Sequence, residues 1–283
     1  MIEPQIVKTV KSLRQTVRFW RQKDMKIALV PTMGALHEGH LALMRDVQSM
    51  GCKVITSIFV NPTQFAPTED LAKYPRPFTA DMEKLTALGV DALFYPDVDE
   101  MYGAGFCTTI ALDGPASVGL EDRFRPGHFA GVATVVAKLL LQALPDIAIF
   151  GEKDYQQLAV IRQMVQDLNI PVEILGGKTI READGLALSS RNIYLLPKER
   201  HLAPEIHHVL KWCAGHFGKE PLAHVLNAAR IRLESFGFVI DYLELREAVT
   251  LKPVEAITAP CRLLFAGRLG KTRLIDNIEI LPS

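Results

Sequence analysis

Two histidines spaced three apart, a lysine beside an aspartate, two serines before an arginine and a pair of glutamines are the side chains that can do chemistry here. His37 and His40 close the run Ile27-Ala28-Leu29-Val30-Pro31-Thr32-Met33-Gly34-Ala35-Leu36-His37-Glu38-Gly39-His40, an apolar strand that breaks at Pro31 and Gly34. Gly34 and Gly39 let backbone approach a phosphate, and histidines at i and i+3 can share one side of a helix start. The periodic stretch from His40 through Leu43, Met44 and Val47 opens a helix whose N-terminus favours an anion, so the segment reads as phosphate-handling. A capping histidine and a metal pair are the other readings, and the spacing is one residue short of HExxH zinc chemistry. Glu38 reads as a solvated or capping carboxylate, because an acid beside phosphates repels them.

Three further segments carry chemistry of the same kind. In Phe150-Gly151-Glu152-Lys153-Asp154-Tyr155-Gln156-Gln157, Lys153 supplies a point charge for phosphate. Asp154 can accept from ribose hydroxyls or help hold Mg²⁺, although a solvated helix start carries the same pair. In Asp184-Gly185-Leu186-Ala187-Leu188-Ser189-Ser190-Arg191-Asn192, two hydroxyls beside a guanidinium suit a triphosphate clamp; a serine-rich turn is the plainer reading. No GxSxG elbow surrounds these serines, which argues against nucleophiles. After the strand ending Phe59-Val60, Asn61 and Gln64 can orient a hydroxylated substrate, or simply build a turn stiffened by Pro62.

The elements around these segments alternate. Strands are expected at 27–30, 54–60, 92–95, 147–150 and 172–175, with helices over 78–88, after Gly131 and through Leu158, Ile161 and Val165. That rhythm predicts a doubly wound, mainly parallel α/β sheet with right-handed crossovers, and ligand chemistry at the strand C-termini. Beyond Gly176-Gly177 the pattern changes to helices over 199–217 and 222–236, a strand over 240–245 and a hairpin-like pair over 262–275. The expected organisation is a Rossmann-like domain over 1–177 and a smaller C-terminal α+β domain over 178–283.

Composition bounds the rest. The 283 residues are 48% hydrophobic, enough to fill two cores, and the formal net charge of +0 supplies no field toward nucleic acid or an anionic membrane. Charged residues interrupt every apolar stretch before it could span a bilayer, and no signal-peptide pattern opens the chain, so a cytoplasmic location is expected. Cys52, Cys107, Cys213 and Cys261 lack CxxC spacing and read as buried or incidental thiols.

Taken in order, the four segments resemble the pantoate-β-alanine ligase (pantothenate synthetase) family. The likeness also takes in Arg125-Pro126-Gly127-His128-Phe129-Ala130-Gly131-Val132 and Arg181-Glu182-Ala183-Asp184-Gly185, and it runs along nearly the whole chain. It implies a nucleotidyltransferase fold in which HxGH and a KMSKS-like loop bind ATP. The implied reaction condenses pantoate with β-alanine through a pantoyl adenylate, with Mg²⁺, in a homodimer. Carried onto this sequence, Met33, Gly34, Ala35, Leu36, His37, Glu38, Gly39 and His40 resemble the first ATP segment, His37 being the family's proton donor. Gly151, Glu152, Lys153, Asp154, Ile180, Leu188, Ser189, Ser190 and Arg191 are similar to the remaining ATP contacts. His37, His40, Lys153 and Arg191 then carry catalysis. Gln64 and Gln157 look like the pantoate pair, Asn61 stands beside them, and Gln64 also lies near the β-alanine site. Asp81 is either a carboxylate on the Mg²⁺ side or part of a solvated helix face. Leu188 stands where the family usually has Met, a swap of similar volume. Two other readings are a nucleotidyltransferase acting on a phosphorylated substrate, and a catalytically idle nucleotide binder. Two neutral glutamines at the substrate position weigh against the first, and the presence of His37, His40, Lys153 and Arg191 weighs against the second.

Overall fold

The structure, a computed structural model, describes residues 3–65, 71 and 74–282. The chain divides into two compact units. The first takes residues up to Ser117, Glu121–Glu152 and Gln157–Lys178; the second takes Val118–Leu120, Lys153–Gln156 and the chain from Thr179 onward.

In the first unit, β1 (Gln5–Val7), β2 (Ile27–Thr32), β3 (Lys53–Ile58), β4 (Ala92–Phe94), β5 (Ile147–Gly151) and β6 (Glu173–Gly177) make one sheet. Its order is β1-β4-β3-β2-β5-β6, and every pairing is parallel. Alternate residues of β2 explain why the sheet is covered on both faces. Ile27 and Leu29 join one core with Leu13, Val17 and Trp20 of α1 (Val10–Arg21). Ala28 and Val30 join the other with Leu43, Met44 and Val47 of α2 (Glu38–Ser49) and Leu85 of α3 (Phe78–Leu88). The short α4 (Val98–Met101) and α5 (Glu121–Phe124) follow, and α6 (His128–Ala143) and α7 (Tyr155–Asp167) pack on the α1 face. Strand order reverses between β2 and β5, and the crevice outside their C-terminal ends is where such sheets take ligands.

In the second unit, α8 (Pro197–Leu202), α9 (Glu205–His216) and α10 (Leu222–Ser235) precede β7 (Phe238–Glu247), β8 (Cys261–Leu269) and β9 (Thr272–Ile280), an antiparallel sheet in that order. Ile206, Val209 and Leu210 of α9 and Val225, Ala229 and Leu233 of α10 close on Leu243, Leu263, Phe265 and Leu274. The doubly wound sheet and the smaller α+β sheet are thus as expected.

Details differ where local signals are thin or mixed. β1 and α1 precede the elements read from the sequence; three residues, one buried, give β1 no periodicity to detect. α2 begins at Glu38, two residues before the expected start, because His37 caps it. The expected helix over 199–217 is two, with Pro204 at the junction as the N-cap of α9. All four cysteines are free, Cys107 exposed and the others buried; burial pushes the Cys213 thiol up to about 12. Among the described residues, no helix is long and apolar enough to cross a membrane.

Candidate active site

At the C-terminal end of β2 the chain needs backbone that few residues adopt: Gly34 has φ 83° and Ala35 φ 50°. A Cβ on Gly34 would stand 3.1 Å from Ile58 Cγ2 and 3.2 Å from Asp81 Oδ2, so sterics reinforce the demand for glycine. Asp81 holds this turn. Its two carboxylate oxygens accept from Ala35 N at 2.9 Å and Leu36 N at 2.8 Å, while Lys84 Nζ donates to Leu36 O at 2.6 Å. Asp81 is 1% exposed, which corrects the solvated-face reading. The spacing from residue 81 to the loop carries no local signal, so sequence reasoning misses the role of this residue.

Burial is the largest influence on Asp81 and raises its pKa, against the two amide bonds and Lys84. The folded state therefore keeps this proton to higher pH than the unfolded chain. Its contribution is complete below the ordinary aspartate range, about 3.9, and is lost as pH rises through the raised folded value. Asp81→Asn removes that titration and turns an NH₂ toward one loop amide, at a cost of about 1–3 kcal/mol. Urea unfolding from about pH 3 to 6 should show the wild type losing stability relative to the variant as pH rises. A wild-type advantage that grows with pH would refute this account.

The loop delivers His37 and His40 to the start of α2. Gly39 N donates to His37 Nδ1 at 3.2 Å, and His37 N donates to His40 Nδ1 at 3.3 Å. A ring nitrogen that accepts carries no proton, so both imidazoles are held in the tautomer whose Nε2–H is the donor. The rings stack with centroids 4.1 Å apart, and a Cβ on Gly39 would come within 2.9 Å of His37 Cε1. Glu38 is paired within its own helix: Arg45 bonds both its oxygens, at 2.5 and 3.2 Å, and holds the carboxyl below its ordinary pKa. A cavity of about 320 Å³ at the strand ends is lined by Met33, Gly34, Phe59, Arg76, Tyr95 and Asp97, among others.

Gln64 ends a short 3₁₀ turn, Pro62–Gln64, after β3. Its Nε2 lies 2.9 Å from Met33 Sδ, and its Oε1 accepts from Asn61 Nδ2 at 3.1 Å. Asn61 is 1% exposed and its hydrogen-bonding capacity is engaged internally. Its Oδ1 accepts from Tyr102 Oη at 2.7 Å and Thr63 Oγ1 at 3.0 Å, and its amide also donates to Gly131 O at 3.2 Å. This geometry makes Asn61 the brace of Gln64. His128 Nδ1 stands 2.9 Å from the Gln64 carbonyl, with Arg125 Nη1 3.0 Å from His128 Nε2. Because arginine only donates, Nδ1 carries the proton and bonds the carbonyl. Tyr102 and His128 thus brace the turn that carries Asn61 and Gln64, although sequence reasoning does not single them out for it; only the motif over 125–132 hints at the second.

Gly151 closes β5 across the switch point from β2, Glu152 follows it, and Gln157 lies in the first turn of α7. In the second unit, Lys153 and Asp154 complete the 3₁₀ turn begun at Glu152, Asp154 being exposed. Leu188 N donates to Ile180 O at 3.0 Å, closing the segment between them into a narrow loop. Ser189 Oγ accepts from Arg191 N at 3.2 Å and caps the 3₁₀ helix Ser190–Tyr194, leaving the Arg191 side chain on an exposed residue. Among the described residues, no group of three or more His, Cys, Asp or Glu side chains is arranged to hold a metal ion.

Comparison with known proteins agrees with this architecture. A pantothenate synthetase of Paramagnetospirillum magneticum is 52% identical over 279 residues, covering 98% of each chain. The crystal structure of pantothenate synthetase from Thermus thermophilus has a TM-score of 0.93 at 45% identity, over 98% of this chain and 100% of that one. The Francisella tularensis pantoate-beta-alanine ligase, complexed with beta-gamma ATP and beta-alanine, has a TM-score of 0.81 at 36% identity, over 97% of both chains. The family model for pantoate-beta-alanine ligase matches residues 5–279, so this chain belongs to the pantoate-beta-alanine ligase family.

Proposed function

We propose that the chain uses ATP to condense pantoate with β-alanine into pantothenate. A pantoate carboxylate oxygen attacks the α-phosphorus and the bond to pyrophosphate breaks. The β-alanine amine then attacks the acyl carbon of pantoyl adenylate, and AMP leaves. The observation that carries this reading is the loop at the switch point of the sheet, which fixes two imidazoles as Nε2–H donors beside a helix N-terminus. The ligands held by the Francisella relative support ATP and β-alanine as substrates.

In this reading residues 33–40 and 151–154, Ile180 and residues 188–191 take the nucleotide. His37, His40, Lys153 and Arg191 offset charge that grows as pyrophosphate departs. Gln64 and Gln157 hold pantoate by hydrogen bonds from their neutral amide groups, Gln64 also facing β-alanine, and Asn61 acts through Gln64. Mg²⁺ would neutralise phosphate charge when bound. It keeps several waters and binds mainly through substrate phosphates, so one exposed carboxylate such as Asp154 fits it, whereas both oxygens of Asp81 already accept backbone amides. The family resemblance also supports a homodimer and a cytoplasmic location.

The deciding experiment is pyrophosphate-ATP exchange with Mg²⁺ and pantoate in the absence of β-alanine. Exchange that depends on pantoate is expected. Its absence in folded, ATP-binding protein would overturn the adenylate reading.

A further inference from the structure

The small sheet of the second unit buries a polar cluster that the substrates do not explain. Arg262 of β8 and Asp276 and Asn277 of β9 are 9%, 4% and 3% exposed. Buried polar groups need partners, and the partners here lead to two segments of the proposed nucleotide site. Asp276 accepts both arms of Arg181, Nη1 to Oδ2 at 2.6 Å and Nη2 to Oδ1 at 2.8 Å. Arg181 also donates to Gly185 O at 3.2 Å, inside the loop that runs on to Leu188 and Ser189. One residue along β9, Asn277 Nδ2 donates to the carbonyl of Lys153 at 3.0 Å, and its Oδ1 accepts from Arg262 Nη1 at 3.2 Å. The guanidinium of Arg262 lies 4.3 Å from the ring of Tyr155, whose hydroxyl donates to Ala248 O at 3.0 Å.

Chemistry allows the Asn277 amide one orientation. Arginine has no acceptor, so Oδ1 faces Arg262, and the NH₂ then faces the Lys153 carbonyl. The main chain at Lys153 is thereby set by a buried donor from a strand more than a hundred residues away.

We propose that Asn277, oriented by Arg262, is a positioning residue for Lys153, and that adjacent Asp276 fixes the Arg181–Leu188 loop from the same strand. β9 then gives the lysine and the Ser189-Ser190-Arg191 segment a common frame. The proposal rests on the reading of Lys153 as a phosphate group's partner. A charge that has to meet a developing oxyanion loses most of its effect when displaced by about 1 Å, which can cost about 10²-fold in rate.

The test is a double-mutant cycle on the full chain, read by pyrophosphate-ATP exchange with pantoate. Lys153→Ala should reduce exchange by about 10²-fold. Asn277→Ala should reduce it by about 10-fold or more in the native background, with the pantoate KM unchanged within about 2-fold, and by less than about 2-fold in Lys153→Ala. Asn277→Asp keeps an acceptor for Arg262 and removes the donor to Lys153, so it should reproduce the loss even if the alanine variant folds poorly. Equal losses in both backgrounds, or no loss in either Asn277 variant, would overturn the positioning role while leaving Lys153 in place. Unchanged exchange in Lys153→Ala would instead overturn the phosphate reading itself, and the proposal with it.

Discussion

Replacing His37 by asparagine should leave the protein folded and reduce pyrophosphate-ATP exchange by about 10² to 10³-fold, or about 2.7–4 kcal/mol of barrier, the loss typical of one preorganised donor. In the proposed reading the histidine has two jobs at different ends of its ring. Nδ1 accepts from Gly39 N and caps α2, while the opposite Nε2–H is the end assigned to substrate. Asparagine is among the best N-caps, so its oxygen can keep the first job, but its side chain is too short for the second. Alanine loses both and should cost about 0.5–2 kcal/mol of stability besides. Chemical denaturation separates the two effects. Exchange within about 3-fold of wild type in a stable His37→Asn protein would remove His37 from catalysis.

The second large effect is expected at Gly131, a residue to which the proposed function gives no substrate contact. A Cβ there would stand 2.4 Å from Thr63 O, 2.7 Å from Thr63 C and 2.8 Å from Gln64 Cα. These are backbone atoms, so the turn carrying Gln64 has to move. Gly131→Ala improves the helix propensity of α6 by about 1 kcal/mol, and the crowding costs about 1–3 kcal/mol, so the net loss of stability is about 0–2 kcal/mol. Pantoate binding should change much more. Displacing Gln64 and the Asn61 brace, which also reaches Gly131 O, should raise the pantoate KM by about 10-fold or more and leave ATP binding nearly unchanged. A pantoate KM within about 2-fold of wild type would show that Gln64 does not hold pantoate or that the turn yields freely. Equal losses for both substrates would point to a general folding defect.

Local sequence is enough to read the main elements and the segments proposed to carry chemistry. Apolar runs such as Ala28–Val30 and Ile147–Phe150 are buried on both faces of a parallel sheet, and that burial is written into consecutive residues. The cap at His37, the break at Gly34 and the periodicity of 78–88 depend on neighbours within a turn or two, so local spacing reveals them. The braces are different. Leu36 meets Asp81 across 45 residues, Asn61 meets Tyr102 across 41, Gln64 meets His128 across 64, and Lys153 meets Asn277 across 124. An aspartate in α3 has the same local pattern whether it faces water or closes a loop. Which of these it does is set by the order of the strands and by the packing of helices on the sheet. Long-range packing therefore selects which buried polar groups fix the turns that carry the chemistry, because a buried donor or acceptor must be satisfied by whatever the fold brings to it.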